Sequence, residues 1–485
     1  MIAQVLWPPK VDRRDLQGNV LCGYGNAFAY ARYLFVSVLD AAAGRRWLWE
    51  LAGQVTNAVS WPKHKPSETL NVALTARGLR EIGVPVQIMA KFPREFCEGM
   101  AARATLLGDT GASDPTRWER DLQEPQLLVT VMAQDAEVRD RRAAELQQRV
   151  ESTGGRLTVQ YKQDANLLPH PTRGFAREHF RFADGFSQPA IRGDQGPDTR
   201  KGMGTPGRWG LWHPVAPGEF VLGYPGEDGL LPQTAPTPLA RSSSFMVWRK
   251  LEQDVDRFET YVAEAANRDF SGELALPAER SLTGDELDQR RDLLAAKMVG
   301  RWRNGTSLAV SPQPPAGESK RQEDRRKHIN RFRYGNDPQG LRCPVGAHVR
   351  RANPRDSLGW QGRLTKRHRI IRRGMPYEDG SGAERERGLI FVCYQADIAR
   401  QFELIQSRWM KDGDPFWLGS ERDPLIMGGG QPRADSPDTG GHMTIQGTPP
   451  GFLAPLSSFV TTRGGDYFFV PGLAALRALA SAYWR

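Results

Sequence analysis

The sequence predicts an α+β fold of two ferredoxin-like domains with long loop insertions, one over residues 1–240 and the other over residues 241–485. Three observations carry this. A short apolar strand that runs into an aspartate and then into a helical stretch occurs four times, at residues 33–40, 127–135, 245–254 and 389–397. Two of these units fall in each half of the chain, as a split β-α-β domain requires, because each helix must cover one face of an antiparallel sheet. Between the second and third units lies a Pro- and Ser-containing stretch, residues 232–244, of the composition that marks a boundary.

Each element has a local reason. The first unit opens on Tyr33, Leu34, Phe35 and Val36, and the second on Leu127, Leu128 and Val129; the third opens on Phe245, Met246, Val247 and Trp248, and the fourth on Leu389, Ile390, Phe391 and Val392. Aromatic and β-branched residues suit a pleated, half-buried strand. Asp40, Asp135, Asp254 and Asp397 then stand where a side-chain oxygen can accept from the free amides that begin a helix. Residues 193–218, 311–317 and 428–451 are rich in Gly and Pro, and long loops of this kind in a compact domain wrap a site or a partner surface.

Composition narrows the function. With 485 residues and 39% hydrophobic content, each of two or three domains can bury a core. The apolar stretches are far shorter than the ~20 residues of a spanning helix, so no membrane partner is expected. Arg13-Arg14 leads into Asp15 and Gln17 with no apolar region, which predicts a cytoplasmic protein. Cys22, Cys97, Cys343 and Cys393 stand far apart and form no Cys-x-x-Cys pair, which excludes a zinc ribbon, an iron–sulfur site and covalent c-type haem and leaves free thiols. The net charge of +10 raises the question of an acidic partner. The basic runs, however, at residues 320–327 and 363–369, belong to no recognised nucleic-acid module with interleaved aromatics, and no nucleic-acid partner is expected.

Three runs carry chemistry. In Cys343-Pro344-Val345-Gly346-Ala347-His348-Val349-Arg350-Arg351, a histidine follows small residues that let a flat macrocycle approach. Arginines that could meet carboxylates come next, among them Arg351 and Arg355, so His348 is a plausible axial ligand. In Glu178-His179-Phe180-Arg181-Phe182-Ala183-Asp184-Gly185, one acid stands among aromatics, where a carboxylate can shuttle protons; Asp184 before Gly185 also fits a plain turn. Residues 369–377 read as a short strand that aims Arg372 to one face, either into a pocket or along a charged edge.

Together and in this order, these runs resemble the dye-decolorising peroxidase family, most of all its longer bacterial and fungal-type members. The resemblance runs along nearly the whole chain, through residues 15–19, 69–75, 98–103, 220–224 and 388–392. It implies two ferredoxin-like domains of the dimeric α+β barrel type, with one haem b held mainly by the C-terminal one. By the same resemblance His348 is the proximal iron ligand, Asp184 the distal acid of a Gly-x-x-Asp-Gly motif and Arg372 the distal arginine. Asp397 is the carboxylate that orients the proximal imidazole, a role that stands beside its reading as a helix cap. Arg351 and Arg355 are expected to bind the cofactor. This sequence departs from the motif at Arg181, where the family has glycine, and at Ala183 just before the acid.

The implied activity is reduction of hydrogen peroxide through an oxoferryl species, with oxidation of bulky aromatic or phenolic substrates and dyes, partly at surface aromatics. Thirteen tryptophans and eleven tyrosines supply candidates for that surface role. The competing reading is a haem-binding or haem-handling protein with little turnover. The departures at Arg181 and Ala183 lend it weight, and retention of Asp184 and Arg372 opposes it.

Overall fold

The computed structural model describes the chain except residues 1–9, 25–26, 62–63, 169–175, 186, 195–204, 207–211, 233, 271–280, 314–328, 427–440 and 484–485. The basic run 320–327, most of the stretches 193–218 and 428–451 and part of 311–317 therefore lie outside the described residues.

Nine strands make the main sheet: β1 (Tyr30–Val38), β2 (Glu68–Leu74), β3 (Leu127–Ala133), β4 (Leu157–Asn166), β5 (Ser244–Gln253), β6 (Ile371–Arg372), β7 (Met375–Asp379), β8 (Glu386–Gln395) and β9 (Val460–Val470). Their order is β4-β1-β3-β2-β9-β5-β8-β6, with β7 also paired to β8. Each half thus reads fourth, first, third, second in its own strand sequence, the order of a split β-α-β domain. In the second half β6 and β7 share the second place. The halves join through one antiparallel bridge between Leu74 and Phe469, which covers two edges that would otherwise stay open.

Helices α1 (Ala41–Ala52), α2 (Ala136–Glu151) and α3 (Val255–Ala265) follow β1, β3 and β5. After β8 comes a segment wound more widely than an α-helix, over Ala399–Glu403 and Ile405–Met410. All four aspartates named above cap these starts: Asp40 accepts from the Ala43 amide at 2.7 Å, Asp135 from Val138 at 2.9 Å, Asp254 from Arg257 at 3.0 Å and Asp397 from Arg400 at 2.9 Å. Asp40→Ala removes one such acceptor from an exposed helix start and is expected to lower stability by about 1 kcal/mol in urea unfolding.

Strand alternation builds the layers. Phe245 and Val247 face the core shared with Trp47, Leu48 and Leu146 of α1 and α2, whereas Met246 and Trp248 face the opposite side with Tyr33, Phe35 and Phe468. A third core joins Phe258 and Val262 of α3 to Leu294 and Met298 of α4 (Gly284–Val299), and to Cys343 and Ala347 just before α5 (His348–Ala352). Gly300, at the end of α4 with φ +92°, is required here: a Cβ at this position would stand 3.3 Å from both Ala347 Cβ and Cys343 Sγ. That close approach seats the start of α5. Among the described residues no helix is long and apolar enough to cross a membrane.

Candidate functional site

A cavity of about 1940 Å³, its open mouth included, lies on one face of the second half of the sheet. Arg249 and Leu251 of β5, Arg372 of β6, Leu389 and Phe391 of β8 and Thr462 of β9 form its floor. The loop carrying Asp184, helix α5 and the wide helical segment close over it, the last through Phe402, Ile405 and Trp409. Wide turns of this kind recur at functional sites.

His348 is the first residue of α5 and lines the cavity. Its Nδ1–H donates to Asp423 Oδ2 at 2.8 Å, and Asp423 Oδ1 accepts from the Leu425 and Ile426 amides at 3.0 and 3.1 Å. Asp423 is fully buried. Burial acts most strongly on both groups and opposes their charged forms, yet each charge outweighs it for the other. The His348 pKa is raised by the charge and hydrogen bond of Asp423, and the Asp423 carboxyl is held below its usual range by His348 and then Arg351. With Nδ1 engaged, Nε2 is the ring nitrogen left for a metal.

Asp397 is not part of this pair. Its Oδ1 caps the wide helix and its Oδ2 accepts from Arg400 Nε at 3.1 Å, so of its two sequence readings the structure shows the cap. An aspartate at a strand-to-helix junction has its oxygens drawn to the free amides beside it. The carboxylate that does reach His348 comes from an irregular segment 75 residues downstream.

Asp184 and Arg372 meet across the cavity, Arg372 Nη2 lying 3.5 Å from Asp184 Oδ1. The loop that brings Asp184 there is folded by Glu178, whose carboxylate accepts from the Phe180 and Phe182 amides, both at 2.9 Å, and from Gln253 Nε2 at 2.5 Å. Gln188 then clamps the backbone of residue 372, donating to its carbonyl at 3.1 Å and accepting from its amide at 3.0 Å. Both halves of the pair are thereby fixed to each other through one side chain. Arg181 has φ +69°, in the left-handed region; the exposed arginine keeps the conformation that glycine adopts freely, at a cost of about 1 kcal/mol. The departure from the motif leaves the backbone path of the loop in place.

One end of the cavity is basic. Arg301, Arg355 and Arg369 all line it, and burial, reinforced by neighbouring guanidinium groups, lowers each pKa to about 10, so they stay charged at neutral pH. Arg355 Nη1 donates to the Asn330 and Phe332 carbonyls at 2.8 and 3.1 Å, while its Nη2 is buried with no partner. Arg351, expected beside it, points elsewhere. It donates to the backbone carbonyls of Gly346, Trp409, Asp412 and Glu421 at 2.9–3.1 Å and is fully buried away from the cavity. It is a brace for α5, with four of its five N–H donors on backbone carbonyls.

Apolar walls, a half-buried histidine with one nitrogen left over and a basic end with an orphaned guanidinium N–H are what a flat dianionic macrocycle with an axial site requires. The residues present fit one haem b. His348 would hold the iron, and Arg355, with Arg301 and Arg369, would meet the carboxylates.

Comparison with known proteins follows the same line. A family model described as the C-terminal part of Dyp-type peroxidases matches residues 309–415. The chain is 30% identical over 479 residues to a multifunctional dye peroxidase of Amycolatopsis, covering 92% of this chain and 91% of that protein. Among solved structures, an ancestral D-type dye-decolorizing peroxidase matches with a TM-score of 0.76 at 27% identity, over 97% of this chain and 99% of that one. A dye-decolorizing peroxidase in complex with 2,6-dimethoxyphenol matches with a TM-score of 0.76 at 25% identity, over 97% and 100%.

Proposed function

The chain belongs to the dye-decolorising peroxidase family, and we propose that it carries out the family reaction with His348 as axial ligand of one haem b, Asp184 as the proton carrier and Arg372 as the positive charge beside it. It is a haem peroxidase that reduces hydrogen peroxide and oxidises phenols and dyes. The observation that carries the assignment of roles is one cavity shared by two constellations: a histidine whose Nδ1 is spent on a buried aspartate, and an aspartate–arginine pair 3.5 Å apart.

Haem, when bound, supplies the electron pair that breaks the O–O bond of peroxide. The chain supplies the rest. Asp184 takes a proton from one peroxide oxygen and returns it to the other, which leaves as water. The Arg372 guanidinium stabilises negative charge as it develops on the departing oxygen. Asp423 holds the His348 ring in one orientation and one tautomer, and its charge makes Nε2 a stronger donor. Leu389, Phe391 and Phe402 keep bulk water from the reacting atoms. Aromatic donors too large for the cavity are oxidised from the surface, for which the described residues offer the exposed Trp360 and Trp417, 75% and 96% accessible, together with Trp49 and Tyr483. A cytoplasmic location is supported by four cysteines that all stay free, two of them buried.

The test is steady-state oxidation of 2,6-dimethoxyphenol by the haem-loaded protein with hydrogen peroxide. Turnover well above that of free haem is expected. A normal ferric Soret band with turnover no better than free haem would leave only the haem-handling reading standing.

A further inference from the structure

A second charged pair on the same cavity floor is not used by the steps above. Arg249 of β5 stands opposite Phe391 of β8, and Arg372 of β6 stands opposite Cys393, two residues further along β8. Strand spacing and rise place Arg249 and Arg372 on the order of 12 Å apart on one sheet face, with Phe391 between them.

Arg249 and Asp109 are each 3% exposed, and both line the cavity. Arg249 Nη2 donates to Asp109 Oδ1 and, at 2.5 Å, to Thr462 Oγ1, and the Thr462 hydroxyl donates to Asp109 Oδ1 at 3.0 Å. Two atoms of this cluster remain buried without a partner, Asp109 Oδ2 and Arg249 Nε. Such atoms are costly when unsatisfied. One is only an acceptor and the other only a donor. As one pair they match a small molecule that offers an O–H and an oxygen lone pair together. The wall beside them is apolar at Leu251 and Phe402, and half-buried Gly108, Ser113 and Gln406 line the same end of the cavity.

We propose that Asp109 and Arg249 form a hydrogen-bonding station for hydrogen peroxide on its way to Asp184, a proposal that rests on the peroxidase reading. Asp109 Oδ2 accepts one O–H of the peroxide while Arg249 Nε donates to an oxygen. A molecule that leaves water for an apolar passage loses its hydrogen bonds, and a pair that replaces them lowers the barrier to its passage.

The test is rapid mixing of the ferric holoenzyme with limiting peroxide, followed by the rate of loss of the ferric Soret band. Wild type is compared with Arg249→Lys, which keeps a charge for Asp109 but lacks Nε, and with Asp109→Asn. The control is the binding rate of carbon monoxide to the reduced protein, since carbon monoxide needs no hydrogen bonds in transit. Arg249→Lys is expected to lower the second-order peroxide rate about tenfold and to leave haem content and the carbon monoxide rate unchanged. An unchanged peroxide rate overturns the proposal, as does an equal fall in the carbon monoxide rate, which would show a reshaped passage. Should Arg249→Lys fail to take up haem, Asp109→Asn carries the same comparison. A wild-type holoenzyme that does not react with peroxide would instead sink the peroxidase reading beneath it.

Discussion

Asp184→Asn is expected to leave haem uptake intact and to lower the rate of reaction with peroxide by about 10²–10⁴-fold, the range for loss of a positioned proton carrier. Asparagine has the same shape and can still face Arg372, but it cannot take up and return a proton. Glu178 cannot take its place. The other carboxylate on the same loop, the half-buried Glu178, already accepts from two amides and from Gln253. Burial, the strongest influence on it, holds its pKa above the usual carboxylate range. Glu178 is bound to the backbone it folds, so its oxygens are not available to a ligand. Rapid mixing of the ferric variant with peroxide is the measurement. A rate within about tenfold of wild type would mean that the proton travels another way, and Asp184 would lose its assigned role.

The same loop shows what the sequence made legible. The fold was readable because its signals are local: a strand of aromatic and β-branched residues feeding an aspartate cap is a pattern of ten residues, and all four such patterns formed the expected junction. His348, Asp184 and Arg372 were readable through runs that resemble a family, and the structure brings all three to one cavity. What stayed hidden depends on contacts far apart in the chain. The stretch 369–377, read as one short strand, is two, with Arg373 and Gly374 between them; a Cβ on Gly374 would come within 2.8 Å of the Ile390 carbonyl oxygen. Arg351 and Arg355 look alike in sequence. One faces the carbonyls that end the wide helix and the other faces the cavity, and nothing short of the packing of α5 separates them. Arg301 belongs to none of the runs singled out in the sequence, and Arg369 stands in a basic run that does not set it apart from its neighbours. Their place at the basic end, beside Arg355, comes from convergence of three separate segments.

Asp423 is the sharpest case of a residue that spacing could not reveal, and its replacement gives the second large effect. Asp423→Asn is expected to weaken haem binding or peroxide turnover by about 10–100-fold, the usual consequence of removing the carboxylate behind a metal-bound histidine. The amide still offers an oxygen to the Leu425 and Ile426 amides or to His348, but it cannot serve both sides as the carboxylate does with Oδ1 and Oδ2. It also brings no charge. Asp397→Ala is the matched comparison, because the family resemblance gave Asp397 the place beside His348 that Asp423 occupies in the structure. Its expected cost is about 1 kcal/mol of stability through loss of a cap, with haem affinity unchanged. Titration of each apoprotein with haem, followed at the Soret band beside thermal unfolding, separates the two. If Asp397→Ala loosened haem while Asp423→Asn did not, the 2.8 Å contact with His348 would have no part in holding the ligand. If the order is as expected, the ring is oriented from the loop that follows the wide helix, and that loop, although it lies outside both strand–helix units of its domain, belongs to the haem site.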